Sequence, residues 1–333
     1  MIELKKKTVF RLAEEREQET VLALLNDVFD DQQRSLTVRD KAYWNWKFSN
    51  NPFGKSYVIV FEADGEIVGV ANLWPWQFTC RGQTIKALQS SDAAVLQAYR
   101  GQGLFQKSRL YAVDLAKYEG YHLFFNYPNA NSLPAYQSLG WENLGKISWW
   151  IKILRPINVI TGYFTQDNAV ASTIDPEYSI NAEYLDELSD RFPSFDSYLK
   201  INRIKGFHKW RYEDRPNRSY GIITYEEGRK TTVAIFTINQ NNRNREMVIV
   251  DIVGATGNLY SLFKKVNETA RSMNIDFIAV MDNPHLGTKK LLKLGYFKKR
   301  AKNMVVLPLD FGLEQKVSSF SNWSLVAGMH DSI

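Results

Sequence analysis

This chain of 333 residues has little with which to staple itself: one cysteine, Cys80, and four histidines. A single thiol closes no intrachain disulfide, and no Cys/His spacing of the kind that holds zinc occurs. The lone Cys reads as a small buried hydrophobe rather than a nucleophile. Long apolar runs are also missing, and nothing approaches the roughly 20 apolar residues a membrane helix needs. Met1 to Lys7 carries charge with no apolar core behind it, a pattern that predicts no signal peptide and a cytoplasmic protein without a membrane partner. Dense Lys/Arg runs and nucleic-acid motifs are lacking too, so nucleic acid is not the expected partner. The net charge of +6 is read as solvated surface that suits an anionic ligand.

What the chain does have is apolar content of 44%, enough for two cores over this length. Periodicity sets out strands and helices in the order β-α-β-β-β-α-β-α-β. The elements run from a strand at Val9 to Leu12 and a helix at Glu17 to Phe29, through strands at Tyr57 to Glu62 and Ile67 to Trp74. Pro75 interrupts, and a further hairpin is expected at Gln77 to Cys80 and Thr84 to Leu88. A last strand at Ile147 to Leu154 closes this half.

Ala87 to Tyr111 is the stretch the rest is organised around. A small-residue strand ends near Val95, a short turn carries Arg100-Gly101-Gln102-Gly103, and a helix pattern opens at about Leu104. Two glycines at a strand-to-helix turn let several backbone N–H groups converge ahead of a helix N-terminus. Unpaired amides and the positive end of the helix dipole then attract phosphate, and Arg100 adds a cation beside them. A second stretch, Asn126 to Trp141, holds Asn129, Asn131 and Tyr136 ahead of Gly140.

The first stretch resembles motif A of the GNAT superfamily of acyl-CoA N-acyltransferases, with Phe105 where the family usually has Gly or Ala. The second resembles motif B, with Asn129, Tyr136 and Gly140 at the family spacing and Trp141 for the usual Phe. The resemblance implies an acetyl-CoA-dependent N-acetyltransferase acting on a small amine, such as an amino sugar. It implies cofactor contacts along Ala94, Val95, Arg100, Gly101, Gln102, Gly103, Leu104 and Phe105, with Asn129 or Asn131 on the pantetheine arm. It also implies Tyr136 beside the thioester sulfur, as general acid for the leaving thiol. Asp92, in an otherwise small and apolar strand, is the candidate base, because a buried carboxylate costs several kcal/mol unless something pairs with it. A structural hydrogen bond is the competing use of Asp92, and Ser90 and Ser91 are weaker candidates. Trp44, Trp74 and Trp76 fall on the family's acceptor side. Two alternatives remain beside this reading: a non-catalytic acyl-CoA-binding scaffold, and a Fem-type aminoacyl transferase, which would lack the Arg-x-x-Gly nest.

After residue 155 the pattern repeats. Trp210-Arg211-Tyr212 with Pro216 echoes Trp46-Lys47-Phe48 with Pro52, and Lys293 to Tyr296 echoes Ser138 to Trp141. The expected fold class is therefore α/β with mixed sheets: two tandem GNAT-like units, each a mostly antiparallel mixed sheet flanked by helices. The expected division is a catalytic domain over 1–155, a linker over 156–176, a degenerate GNAT-like domain over 177–310 and a tail over 311–333. The second unit's turn, Gly254-Ala255-Thr256-Gly257, has no preceding Arg and almost no loop, so one coenzyme A per chain is expected. The tail carries Phe320, Trp323 and Leu325, which argue for docking, and by resemblance it would bring His330 across a cleft towards the acceptor.

Overall fold

The computed structural model describes residues 8–30, 39–163, 170–171, 173–193, 197–240 and 244–330. In chain order the strands are β1 (Val9–Leu12), β2 (Tyr57–Ala63), β3 (Glu66–Cys80), β4 (Gln83–Val95), β5 (Leu123–Asn126), β6 (Glu142–Ile153), β7 (Val170–Ala171), β8 (Lys200–Ile201), β9 (Gly221–Glu227), β10 (Lys230–Gln240), β11 (Arg245–Gly254), β12 (Phe277–Met281) and β13 (Phe297–Pro308). The helices used below are α1 (Gln18–Asp30), α2 (Lys41–Trp44), α3 (Leu104–Tyr118), α4 (Leu133–Ser138), α5 (Pro156–Tyr163), α6 (Ala182–Arg191) and α7 (Leu259–Ser272). No helix among the described residues is long and apolar enough to cross a membrane.

The elements gather into two compact units. The first takes Met1–Phe78, Thr84–Leu144 and Asn303–Ser318, and the second takes Thr79–Gln83, Gly145–Lys302 and Ser319–Ile333. In the first unit the strand order is β1-β2-β3-β4-β5-β13. β4 and β5 run parallel, whereas β1/β2, β2/β3 and β5/β13 are antiparallel. α3 lays Leu104, Ala112 and Ala116 on a core with Ile59, Leu88 and Phe124, an apolar stripe at helical spacing.

The second unit orders its strands β6-β12-β11-β10, with β9 and β7 also on β10. Here β11 and β12 are the parallel pair and β6/β12, β10/β11 and β9/β10 are antiparallel. α7 buries Leu259, Leu262, Phe263, Val266 and Ala270 against it. Both units are mixed sheets flanked by helices, and both place a π-helical turn ahead of their strand pairs, at Asn45–Ser49 and Lys209–Glu213.

Several elements differ from the sequence expectation. β3 runs through Pro75 to Cys80, and β4 is one strand as far as Val95. Pairing of β3 with β2 ends at Leu73, so the N–H that Pro75 lacks is not missed on that side. Tyr178 to Asn181, whose sequence resembles that of the first strand, forms no strand; Ser179 makes only an isolated bridge to Gly221. The span 156–176 contains α5 and β7. Ile147 to Leu154, expected to close the first half, supplies β6 residues Trp149 to Ile153 to β12. Asn303 to Leu309, whose sequence likewise reads as a closing strand, for the second half, supplies Val305 to Pro308 to β5. Alternation marks a strand but not its partner, and both closing strands have the same alternating character.

Candidate active site

The site begins where β4 and β5 part. Their parallel register covers Ala87 to Gln89 opposite Leu123 to Phe125, and β4 then continues alone on that side to Val95. Just past the parting, Asp92 takes a left-handed backbone conformation, φ 39°, which Asp tolerates better than most residues. Its carbonyl accepts from Asn72 Nδ2 at 3.2 Å. This kink re-aims the strand, and Leu96 N–H returns it to Val68 O at 3.0 Å.

The turn that follows has the anticipated form. Gly101 (φ 76°) and Gly103 (φ 70°) are both left-handed, and Gly103 caps α3. The first bond of the helix is Lys107 N–H to Gly103 O at 3.1 Å, so the N–H groups of residues 101–106 have no partner among the described residues. A Cβ built on Gly101 would meet nothing within 4 Å, so the backbone there faces open space. Arg100 is exposed and donates from Nε to Val95 O at 3.0 Å, which fastens the turn to the strand end. The residues Ala94 and Val95 to Phe105 thus form one continuous strand, turn and helix start, with free amides and a cation at its apex. An acyl-CoA pyrophosphate fits that donor set.

Tyr136, on α4, is buried beside the parting, its ring edge-on to Phe105 at 5.5 Å and to Trp141 at 4.8 Å. Its hydroxyl accepts from Asn126 Nδ2 at 2.7 Å and donates to Ser90 Oγ at 3.0 Å. Ser90 also accepts from Arg109 Nη1 at 2.5 Å. Asn129 is exposed, and its Oδ1 accepts from the N–H groups of Asn131 (3.0 Å) and Ser132 (2.9 Å). The side chain that caps this turn is therefore Asn129, whereas Asn131 supplies only its N–H. Asn126, Ser90 and Arg109 complete a polar chain that the sequence motifs do not single out. Ser90 drew attention only as a weak base candidate, and nothing in the spacing marks Asn126 or Arg109.

Asp92 lies in a buried charge cluster rather than at an open face. Lys47 Nζ is 2.6 Å from one carboxylate oxygen, Tyr43 OH 3.0 Å from the same one, and Arg39 Nε 3.2 Å from the other. Lys47 has no exposed side-chain surface and Asp92 only 4%. The second unit builds a close parallel without a cofactor turn: Asp251, on β11, accepts from Arg203 and, at 3.1 Å, from Tyr212 OH. That recurrence supports the structural use of Asp92, as a carboxylate that fixes the kinked strand.

Trp74 and Trp76 are corrected as acceptor-side residues. Both have no exposed surface and pack edge-on to each other at 5.0 Å, and Trp76 Nε1 donates to Gln89 at 3.0 Å. Neither offers a ring face to an acceptor. Trp44 is half-buried, 4.9 Å from Phe48. Of the tail, residues 319–330 belong to the second unit, and Trp323, Leu325 and Ala327 are buried. There His330 places Nε2 2.9 Å from Lys302 Nζ, and residues 331–333 lie outside the described residues.

The second unit's turn is closed where the first is open. A Cβ on Gly254 would lie 2.2 Å from Thr231 O, so this glycine serves close packing on the neighbouring strand. Ala255 N–H is spent on the same carbonyl at 2.9 Å. β11 and β12 also part, after Ile249 and Val280, and the chain's own Val326 and Ala327 help wall the parting down to a cavity of about 10 Å³. Arg211 holds this tail through the carbonyls of Gly328 (2.8 Å) and His330 (3.1 Å). Two larger hollows, about 340 and 400 Å³, also lie in the second unit, and neither is lined by a residue of the Arg100 turn.

Residues 9–144 match the acetyltransferase (GNAT) domain family, so the chain carries a GNAT domain and is, by class, an acyltransferase. No curated protein sequence matches it. Among solved structures it is similar to a GCN5-related N-acetyltransferase from Anabaena variabilis (TM-score 0.64, 13% identity, 91% of this chain and 73% of that one). It is also similar to a probable N-acyltransferase from Enterococcus faecalis (TM-score 0.59, 12% identity, 91% and 73%). A third likeness is to Saccharomyces cerevisiae N-myristoyltransferase with bound myristoyl-CoA (TM-score 0.58, 13% identity, 98% and 86%). At these identities the likeness is one of fold.

Proposed function

We propose that the first unit transfers the acetyl group of acetyl-CoA to the nitrogen of a small amine. The observation that carries this reading is the row of unpartnered amides at residues 101–106, ahead of α3 and next to the parted strands that hold Tyr136. The turn would bind the pyrophosphate, and the parting would admit the thioester. Phe105, Tyr136 and Trp141 crowd together there, which favours a short acyl group over a long one.

In the reaction the amine nitrogen bonds to the thioester carbon, and the carbon–sulfur bond then breaks. Tyr136 gives its hydroxyl proton to the departing sulfur, while Asn126 holds the phenol oxygen in place. Asp92 is committed to two cations and so does not stand ready to deprotonate the amine. Acceptors that are substantially neutral near pH 7 are favoured, with a pKa near the α-amino value of about 8 rather than the lysine value of about 10.4.

Purified chain, labelled acetyl-CoA and a panel of amines that includes amino sugars test the proposal. The expected result is a labelled amide with at least one low-pKa amine, formed faster from acetyl-CoA than from myristoyl-CoA. Tight binding of acetyl-CoA with no transfer to any amine would overturn it in favour of a scaffold.

A further inference from the structure

Arg109, on α3, is 2% exposed. Its Nη1 donates to Ser90, its guanidinium lies 5.1 Å from the Phe105 ring centroid, and its Nε and Nη2 have no hydrogen-bond partner. No carboxylate pairs with it among the described residues. A buried cation with no counter-ion is costly, and burial pushes this guanidinium down from its ordinary value. A fold that needed only packing at this position would use an apolar side chain.

What stands next to the cation is the hydroxyl of Tyr136, on the other side of the shared Ser90 oxygen. The other groups around Tyr136 add no free charge. Asn126 on β5, Phe105 on α3 and Trp141 ahead of β6 are neutral, Lys107 and Glu142 are exposed, and Asp92 on β4 is engaged by Lys47, Arg39 and Tyr43. We infer that Arg109 is a positioning residue that stabilises the Tyr136 oxygen as its proton leaves for the sulfur. This rests on the proposed acyl transfer. The balance is complete: the phenol proton moves to the thiolate as the carbon–sulfur bond breaks. The nitrogen then sheds its surplus proton to solvent, and the phenolate regains one. In that interval the Arg109 charge gains the anion that the resting state denies it, so its unfavourable burial becomes stabilisation of the transition state.

The test is Arg109→Met beside Arg109→Lys, read in four ways. Arg109→Met lowers kcat roughly tenfold with KM for acyl-CoA unchanged, and its pH–rate profile moves to higher pH. Arg109→Lys keeps the charge and recovers most of the rate. The melting temperature of Arg109→Met is no lower than that of the wild type, since an uncompensated buried cation has gone. Finally, Arg109→Met lowers kcat no further in a Tyr136→Phe background, because the hydroxyl it acts on has gone. An unchanged kcat overturns the inference, as does a fall in kcat and melting temperature together in both variants. If the wild type transfers to no amine, the functional proposal fails by itself, and the melting temperature still speaks to Arg109: a clear fall in Arg109→Met marks it as a packing residue and overturns the inference.

Discussion

A carboxylate that accepts from Lys47, Arg39 and Tyr43 at once has its charge balanced before any substrate arrives. Removing that charge strands a lysine with no exposed side-chain surface. Asp92→Asn is therefore expected to cost about 3–5 kcal/mol of stability, the usual result of breaking a buried pair from one side. Urea unfolding reads that loss, and acetyl-CoA affinity in the fraction that stays folded should be near normal. Tyr136 is the opposite case. Its ring packs on Phe105 and Trp141, and its hydroxyl is the group to which the proposed reaction gives a task. Tyr136→Phe keeps the packing, so turnover should fall by roughly 10²–10⁴ with calorimetric affinity for acetyl-CoA nearly intact; near-normal turnover would leave the tyrosine a core residue. Tyr136 is legible in the sequence because its spacing to Asn129 and Gly140 is fixed by one short helix. Arg109 and Ser90 are not, because they meet only when α3 folds back on β4, and a serine and an arginine 19 positions apart carry no local pattern. Trp74 and Trp76 mislead for a related reason: alternation and aromatic content describe a buried strand and a stacking surface equally well.

At the scale of the element, the strand, turn and helix from Ala87 to Tyr118 is the part of the chain that sequence describes best. Its glycines, its Arg and its helix start all act within one turn, and local chemistry decides them. The same holds for the turn ahead of α4, where Asn129 accepts from the N–H groups of Asn131 and Ser132. It does not hold for β6 and β13, whose partners are chosen by the finished sheet. Two substitutions test the turn. Gly103→Val forces a β-branched residue into a φ of 70°, at a strain of about 1–2 kcal/mol, and puts a side chain beside the free amides. Arg100→Ala releases the Val95 carbonyl and removes a charge-assisted contact of about 1.5–3 kcal/mol to the pyrophosphate. Both should weaken acetyl-CoA binding while the far-ultraviolet spectrum stays that of the wild type. Unchanged affinity in both variants would remove the phosphate role from residues 100–105.

For the whole molecule, the interleaving of the two units means that neither is a continuous piece of chain. A fragment ending at residue 155 would leave the edge of β5 without Val305 to Pro308 and β6 without Phe277 to Met281. Such a fragment carries every motif residue of the candidate site, yet it is expected to show no cooperative thermal transition; a sharp two-state melt would contradict the need for the later strands in each unit.

The repetition raises a second question at this scale, namely whether both units could hold a cofactor. Both have a parallel strand pair that parts, followed by a glycine turn and a helix. In the first unit the glycine faces open space and the amides of residues 101–106 are free. In the second, Gly254 packs on Thr231 O, Ala255 N–H is already bonded, and Val326 and Ala327 line what is left of the parting. A pyrophosphate would have to break the Ala255–Thr231 bond, and a pantetheine arm would have to expel buried chain that Arg211 holds by two carbonyls. Neither cost is matched by a cation at the turn, since no Arg precedes Gly254. Calorimetric titration should therefore give one molecule of acetyl-CoA per chain. Gly103→Val should weaken that single event, whereas Gly254→Ala, which drives a methyl into Thr231 O, should lower the melting temperature without changing the stoichiometry or the affinity of the folded protein. Two equivalent sites in the wild type, or a loss of acetyl-CoA affinity in folded Gly254→Ala, would show that the second turn binds cofactor after all.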